Sequence, residues 1–176
     1  GRSLMQTLTG LEVDRRKRPS EMVDWKTNYH KGKTLQNLEQ YEDAIKAFEH
    51  ALAIKPDYID AHFNKGLCLV QLKHYSEAIE VFDYTLELNP TYTPALYNLG
   101  SALLQLKRYS DAGETFDRVL DISPQNSEAL YGKGIAFLRL FHYQDALNAF
   151  EKWLEQNPAH IESWLHKGIA LINLGR

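Results

Sequence analysis

Apolar residues return along this chain in step. Leu38, Leu72, Leu106, Leu140 and Leu174 are spaced 34 residues apart, and the same spacing joins Ala44, Ala78, Ala112 and Ala146. Phe48, Phe82, Phe116 and Phe150 form a third column, and Tyr41, Tyr75, Tyr109 and Tyr143 a fourth. Two more columns, Gly32, Gly66, Gly100, Gly134, Gly168 and Pro56, Pro90, Pro124, Pro158, keep the same phase. A repeat of this period makes each unit one supersecondary element that buries its apolar face only against its neighbours. Ala78 and Phe82 are four apart, which places them on one helix face, and the small Ala lets another helix approach. Pro cannot continue a helix, so Pro90 marks a stop. The unit therefore predicts helix A over 59–72, a tight turn over 73–75, helix B over 76–89, and a turn at Pro90. Ser76 and Ser110 stand where a side-chain oxygen would cap helix B. The glycine column falls inside helix A, where each Gly costs roughly 0.5–1 kcal/mol relative to Ala. A cost repeated in every unit predicts that a neighbouring helix packs closely there.

This period and these residues resemble the tetratricopeptide repeat family, whose pattern runs Trp, Leu, Gly, Tyr, then Ala, Phe, Ala, Pro. The resemblance covers 25–176, as repeats 25–58, 59–92, 93–126 and 127–160 and a half repeat, 161–176, that supplies a terminal helix. It implies an all-α fold, a right-handed superhelical solenoid of stacked antiparallel helix pairs. There are departures. Asn28, His62, Leu96, Leu130 and Trp164 stand at the Trp position, and Lys31, Lys65 and Lys133 replace a Leu that Leu99 keeps. The third small column reads Ala51, Thr85, Val119 and Trp153. Trp153 is expected either to widen the packing between units four and five or to replace an apolar contact there.

Residues 1–24 fall outside the repeat and read as an N-terminal extension or capping segment, with appended non-native sequence as the alternative. Leu4, Leu8 and Leu11 have the spacing of a short amphipathic helix that could cover the open side of the first repeat. Arg15, Arg16, Lys17 and Arg18 are balanced by Glu12, Asp14, Glu21 and Asp24, so this run reads as a solvated linker. The chain opens on Gly1 and ends at Gly175 and Arg176 inside a repeat, which reads as a fragment or a processed form.

Composition narrows the function. A net charge of -3 gives no broad field for a phosphate backbone, so nucleic acid is not an expected partner. No apolar run is long enough to span a membrane. The single cysteine, Cys68, excludes an internal disulfide and a thiolate zinc site, and tilts the compartment toward a reducing, cytoplasmic one. Gly132, Lys133 and Gly134 lack phosphate-loop spacing, and His30, His62 and His166 lie on the A helices of different repeats, which step by about 10 Å from one to the next, too far to share a metal. No cofactor, metal or catalytic constellation is expected, and Cys68 is expected to act as a small apolar residue.

The resemblance implies a concave groove lined by the second, fifth, sixth, ninth, twelfth and thirteenth positions of each repeat. The fifth supplies Tyr29, Phe63, Tyr97, Tyr131 and Leu165, an aromatic row that offers large contact area with few rotors to order. The sixth includes Asn64 and Asn98, whose amides can both donate to and accept from a peptide backbone. Gly132 beside Tyr131 is expected to leave a gap for a partner side chain. With Lys33, Ser101, Gln105 and Arg139 these residues form the candidate binding surface. The chaperone-binding branch of the family grips a terminal carboxylate with a Lys, Asn, Asn, Lys, Arg set. Tyr29, Lys33, Pro94 and Asn98 interrupt such a set here, so no such clamp is expected. The chain thus reads as a non-catalytic scaffold for a protein or peptide. The alternatives are a self-assembly module forming a homo-oligomer, or the targeting arm of a larger protein.

Overall fold

The computed structural model describes residues 24–176, so the capping-helix and basic-run readings of residues 1–23 lie outside the described residues. Among the described residues there are nine helices and no strand: α1 Trp25–Asn37, α2 Tyr41–Ile54, α3 Ile59–Gln71, α4 Tyr75–Leu88, α5 Thr93–Gln105, α6 Tyr109–Ile122, α7 Ser127–Arg139, α8 Tyr143–Gln156 and α9 Ile161–Asn173. Each helix packs on the next in the chain. Odd-numbered helices also touch in succession, α1 on α3 through to α7 on α9, whereas even-numbered helices do not touch one another. The stack is therefore tighter on its A side, which puts the A helices on the inside of the curve.

Asp24, expected in the extension, is the N-cap of α1 and accepts from the Thr27 amide at 2.7 Å. That bond holds its carboxyl below the usual carboxylate range. Helix B is not capped as the sequence suggested. The caps of α4 and α6 are His74 and Arg108, neither with a side-chain hydrogen bond, and Ser76 and Ser110 lie inside the helices. The reason is the preceding turn. Glu39, Lys73, Lys107 and Phe141 take φ near +60° (59, 61, 60 and 62°), and the following amides bond back to the helix A carbonyls, as in His74 to Leu69 at 2.9 Å. This is the Schellman arrangement, and it delivers the chain straight into helix B two residues earlier than a serine cap would.

The glycine column has a definite packing partner. A Cβ built on Gly32 would lie 2.5 Å from the ring of Phe48, and one on Gly66 2.5 Å from Phe82. Gly100 and Gly134 stand in the same relation to Phe116 and Phe150, at 2.8 and 2.7 Å. Each unit thus seats its own helix B phenylalanine in a notch on helix A, and all four rings are buried. Gly168 is the exception, with no atom within 4 Å of an added Cβ.

Lysine at the family's Leu position also has a cause. Lys65 pairs with Glu49 at 2.7 Å and Lys167 with Glu151 at 3.0 Å, and Lys133 pairs with Asp117, each tying an A helix to the preceding B helix. Leu99 faces Asp83 in the same register without a charge, and burial pushes that carboxyl up. At the Trp position, His62 Nε2 contacts the Pro56 carbonyl at 2.7 Å, and Trp164 Nε1 donates to the Pro158 carbonyl at 2.8 Å. The two side chains anchor the same turn. Cys68 is buried, and burial pushes its thiol up to about 11.

Candidate functional site

The ten candidate residues do not form one continuous surface. In the first two units the groove is filled by the chain's own side chains. Tyr29 packs edge-on against Tyr58 at 4.9 Å and lies 5.9 Å from Phe48. Phe63 meets Tyr92 at 5.3 Å in the same way. Asn64 is buried, and its amide is used internally. Its Nδ2 donates to the Asp60 carbonyl at 2.6 Å and to the Tyr29 hydroxyl at 3.4 Å, while its Oδ1 accepts from Lys33 Nζ at 2.8 Å. Lys33 also donates to Gln36 at 2.9 Å. Burial raises the Tyr29 and Tyr92 hydroxyls above the ordinary phenol value and pushes Tyr58 up to about 12, with the Asp60 charge acting in the same direction. These phenols stay neutral and serve as packing.

Beyond the second unit the groove opens. Tyr97, Ser101, Gln105, Tyr131 and Arg139, five of the ten, line one depression of about 450 Å³ together with Glu128, Glu162 and His166. The reason is one column of the repeat. Tyr58 and Tyr92 precede α3 and α5 and cover the groove ring of the unit before; the matching residue ahead of α7 is Asn126. Asn126 turns its side chain to its own helix, accepting from the Ala129 amide at 2.8 Å, and has no ring to lay on Tyr97. Among the described residues the one aromatic neighbour of Tyr97 is therefore Phe116, at 6.1 Å. Asn98, next to it on α5, spends one amide hydrogen on the Pro94 carbonyl at 2.8 Å.

The gap expected at Gly132 is already occupied. An added Cβ there would collide with the Phe116 ring, so the missing side chain admits Phe116 from below instead of a partner group from above. Phe116 is thereby held between Gly100 and Gly132, and it forms part of the floor of the depression.

Trp153, the oversized member of its column, packs against Tyr131. Its ring lies 5.3 Å from Tyr131 and 5.8 Å from His160, and Tyr131 is also 5.6 Å from His160. Trp153 thus replaces a small apolar contact with an aromatic one that braces Tyr131. His166 stacks on Phe150 at 5.4 Å, and burial, with help from Arg139 and His160, holds its imidazole below its usual range against the pull of Glu162. It is neutral near pH 7.

Sequence reasoning did not single out Glu128 and Glu162 as groove residues. They occupy the second position of successive repeats, and the column Lys26, Asp60, Pro94, Glu128, Glu162 carried that signal. Among the described residues no group of His, Cys, Asp and Glu is arranged to hold a metal, and no helix is long and apolar enough to cross a membrane.

A one-sided stack of helix pairs with an inner groove defines an all-α helical repeat solenoid. The chain carries the tetratricopeptide repeat. The family described as tetratricopeptide repeat matches residues 128–176, and the family described as anaphase-promoting complex, cyclosome, subunit 3 matches residues 37–119. No curated protein matches the chain. Among solved structures it is similar to MamA from Desulfovibrio magneticus RS-1, at 22% identity and a TM-score of 0.81, over 86% of this chain and 85% of that one. It is also similar to YrrB, titled a TPR protein with an unusual peptide-binding site, at 21% identity and 0.78 over 85% and 77%. A tetratricopeptide repeat protein from Parabacteroides merdae ATCC 43184 matches at 18% identity and 0.74, over 97% and 65%.

Proposed function

We propose that this protein is a non-catalytic scaffold that binds a peptide or an extended segment of a partner protein, and that it does so in the open half of the groove. The observation that supports this is the depression between Tyr97 and Tyr131, where two groove rings, two amide or hydroxyl side chains and Arg139 converge on space the chain does not fill itself. Rings with few rotors beside flexible hydrogen-bonding groups suit a peptide main chain with alternating side chains. YrrB, which shares the fold, is titled for a peptide-binding site. On this reading Tyr97→Ala weakens capture of a partner bound from cell extract at least about tenfold, a loss of about 1.4 kcal/mol, while helicity and melting temperature stay close to the parent. A variant that loses stability in step with binding, or that binds unchanged, overturns the groove reading.

A second reading, self-association, is favoured by α9. Ile161, Trp164, Leu165 and Ile172 are 83, 50, 62 and 76% exposed, and the notch at Gly168 is empty, so one helix carries an apolar face of the kind that drives pairing. Two copies joined through α9 predict a sedimentation-derived mass that rises with concentration and returns to the monomer in Ile172→Glu. A monomer mass across the whole range excludes it.

A further inference from the structure

The open half of the groove carries charges that the chain does not neutralise. Glu128 and Glu162 sit at matching places in the first turns of α7 and α9, and both line the depression with Tyr131. Among the described residues neither forms an ion pair, whereas the acidic column on the B helices, Glu49, Asp117 and Glu151, is matched by lysines. Glu162 is close enough to Tyr131 and His166 for its charge to act on both. Arg139, the one cation on the wall, ends α7 eleven residues after Glu128, about 16 Å along the axis at helical rise, which is beyond a physiological screening length of about 8 Å. Glu128 is thus left without a nearby countercharge, while Glu162 and Arg139 both act on His166. The N-terminal dipoles of α7 and α9 favour carboxylates at these positions, and both side chains line the groove.

Beside these carboxylates the same depression is lined by Tyr131, and its wall continues with Tyr97, Ile135 and Leu104. A flexible alkyl stem packs on such a wall while its charged head reaches past it, and a ring face attracts a cation. A phosphate or carboxylate would meet two like charges there. We propose that this depression is a subsite for a lysine or arginine side chain of a partner peptide, with its stem along Tyr131 and its charge between Glu128 and Glu162. This rests on the groove reading above and adds the chemistry of the group received.

The test is an NMR titration of the isotope-labelled chain with three blocked single residues, Nα-acetyl N-methylamides of lysine, norleucine and glutamate. Lysine is expected to give saturable shifts at the amides of the first turns of α7 and α9. Its affinity should exceed that of norleucine by at least about fivefold, with the advantage shrinking at high salt and disappearing in the Glu128→Gln, Glu162→Gln double variant. The variant's helicity and melting temperature verify its fold. Equal binding of norleucine, tighter binding of glutamate, or no saturable shift with lysine overturns the cation assignment. The first two outcomes leave the groove reading intact, because the same surface is still engaged. That reading is decided separately, by partner capture with Tyr97→Ala.

Discussion

Phe116→Ala is expected to lower the stability of this protein by about 3–5 kcal/mol, the cost of removing a fully buried phenylalanine and leaving its cavity. Phe116 is 1% exposed and is gripped from both sides, by the notch at Gly100 on α5 and by Gly132 on α7. The other three rings of the column have a glycine on one side only. Losing Phe116 therefore loosens two successive A helices at once, in the middle of the stack where both neighbours depend on them. A calorimetric scan should show the midpoint falling by roughly 10 °C, given about 2–4 °C per kcal/mol at this size. The reciprocal change, Gly132→Ala, pushes a methyl into the same ring and should cost about 1–3 kcal/mol by overpacking. Gly168→Ala is the matched control. Its Cβ meets nothing, so helix propensity alone acts and the variant should gain up to about 1 kcal/mol. Equal effects at positions 132 and 168 would show that the glycine column is not read by the phenylalanines.

Asn126→Tyr is expected to close the binding depression without unfolding the protein. The substitution restores the residue type that covers Tyr29 in the first unit and Phe63 in the second, with ring separations of 4.9 and 5.3 Å. A tyrosine at the same place should lie over Tyr97 and fill the groove there. The lost cap to the Ala129 amide costs about 1 kcal/mol, and the gained aromatic contact returns about 0.5–1.5 kcal/mol, so the melting temperature should hardly move. Partner binding should fall about thirtyfold or more, since a central pocket of an interface carries at least about 2 kcal/mol. The comparison of isothermal titration with thermal melting on one sample separates the two effects. Unchanged affinity in a folded Asn126→Tyr protein would place the binding surface elsewhere.

Much of this was legible along the chain because the repeat encodes itself. A column such as Phe48 to Phe150 is visible in sequence since each unit solves the same packing problem with the same residue. The helix pairing, the class of fold and the burial of Cys68 follow from those columns. The cap at Ser76 was misread because serine before a helix is a local signal, whereas the Schellman turn at Lys73 is set by a backbone angle that lysine does not advertise. The gap at Gly132 was misread for a related reason. A missing side chain leaves space on both sides of a helix, and only the position of Phe116 tells which side is used.

The sequence alone thus determined which residues repeat and where helices begin and end to within a residue or two. Those are properties of one unit and of its spacing to the next, and they are carried by local pattern. Tertiary structure decided which part of the inner surface is open. Tyr58 and Tyr92 fill the groove in the early units and Asn126 does not, and Asn64 spends its amide on Asp60, Tyr29 and Lys33. Whether an inward-facing side chain is available to a partner depends on which neighbour reaches it first, and that is a contact between units about thirty residues apart.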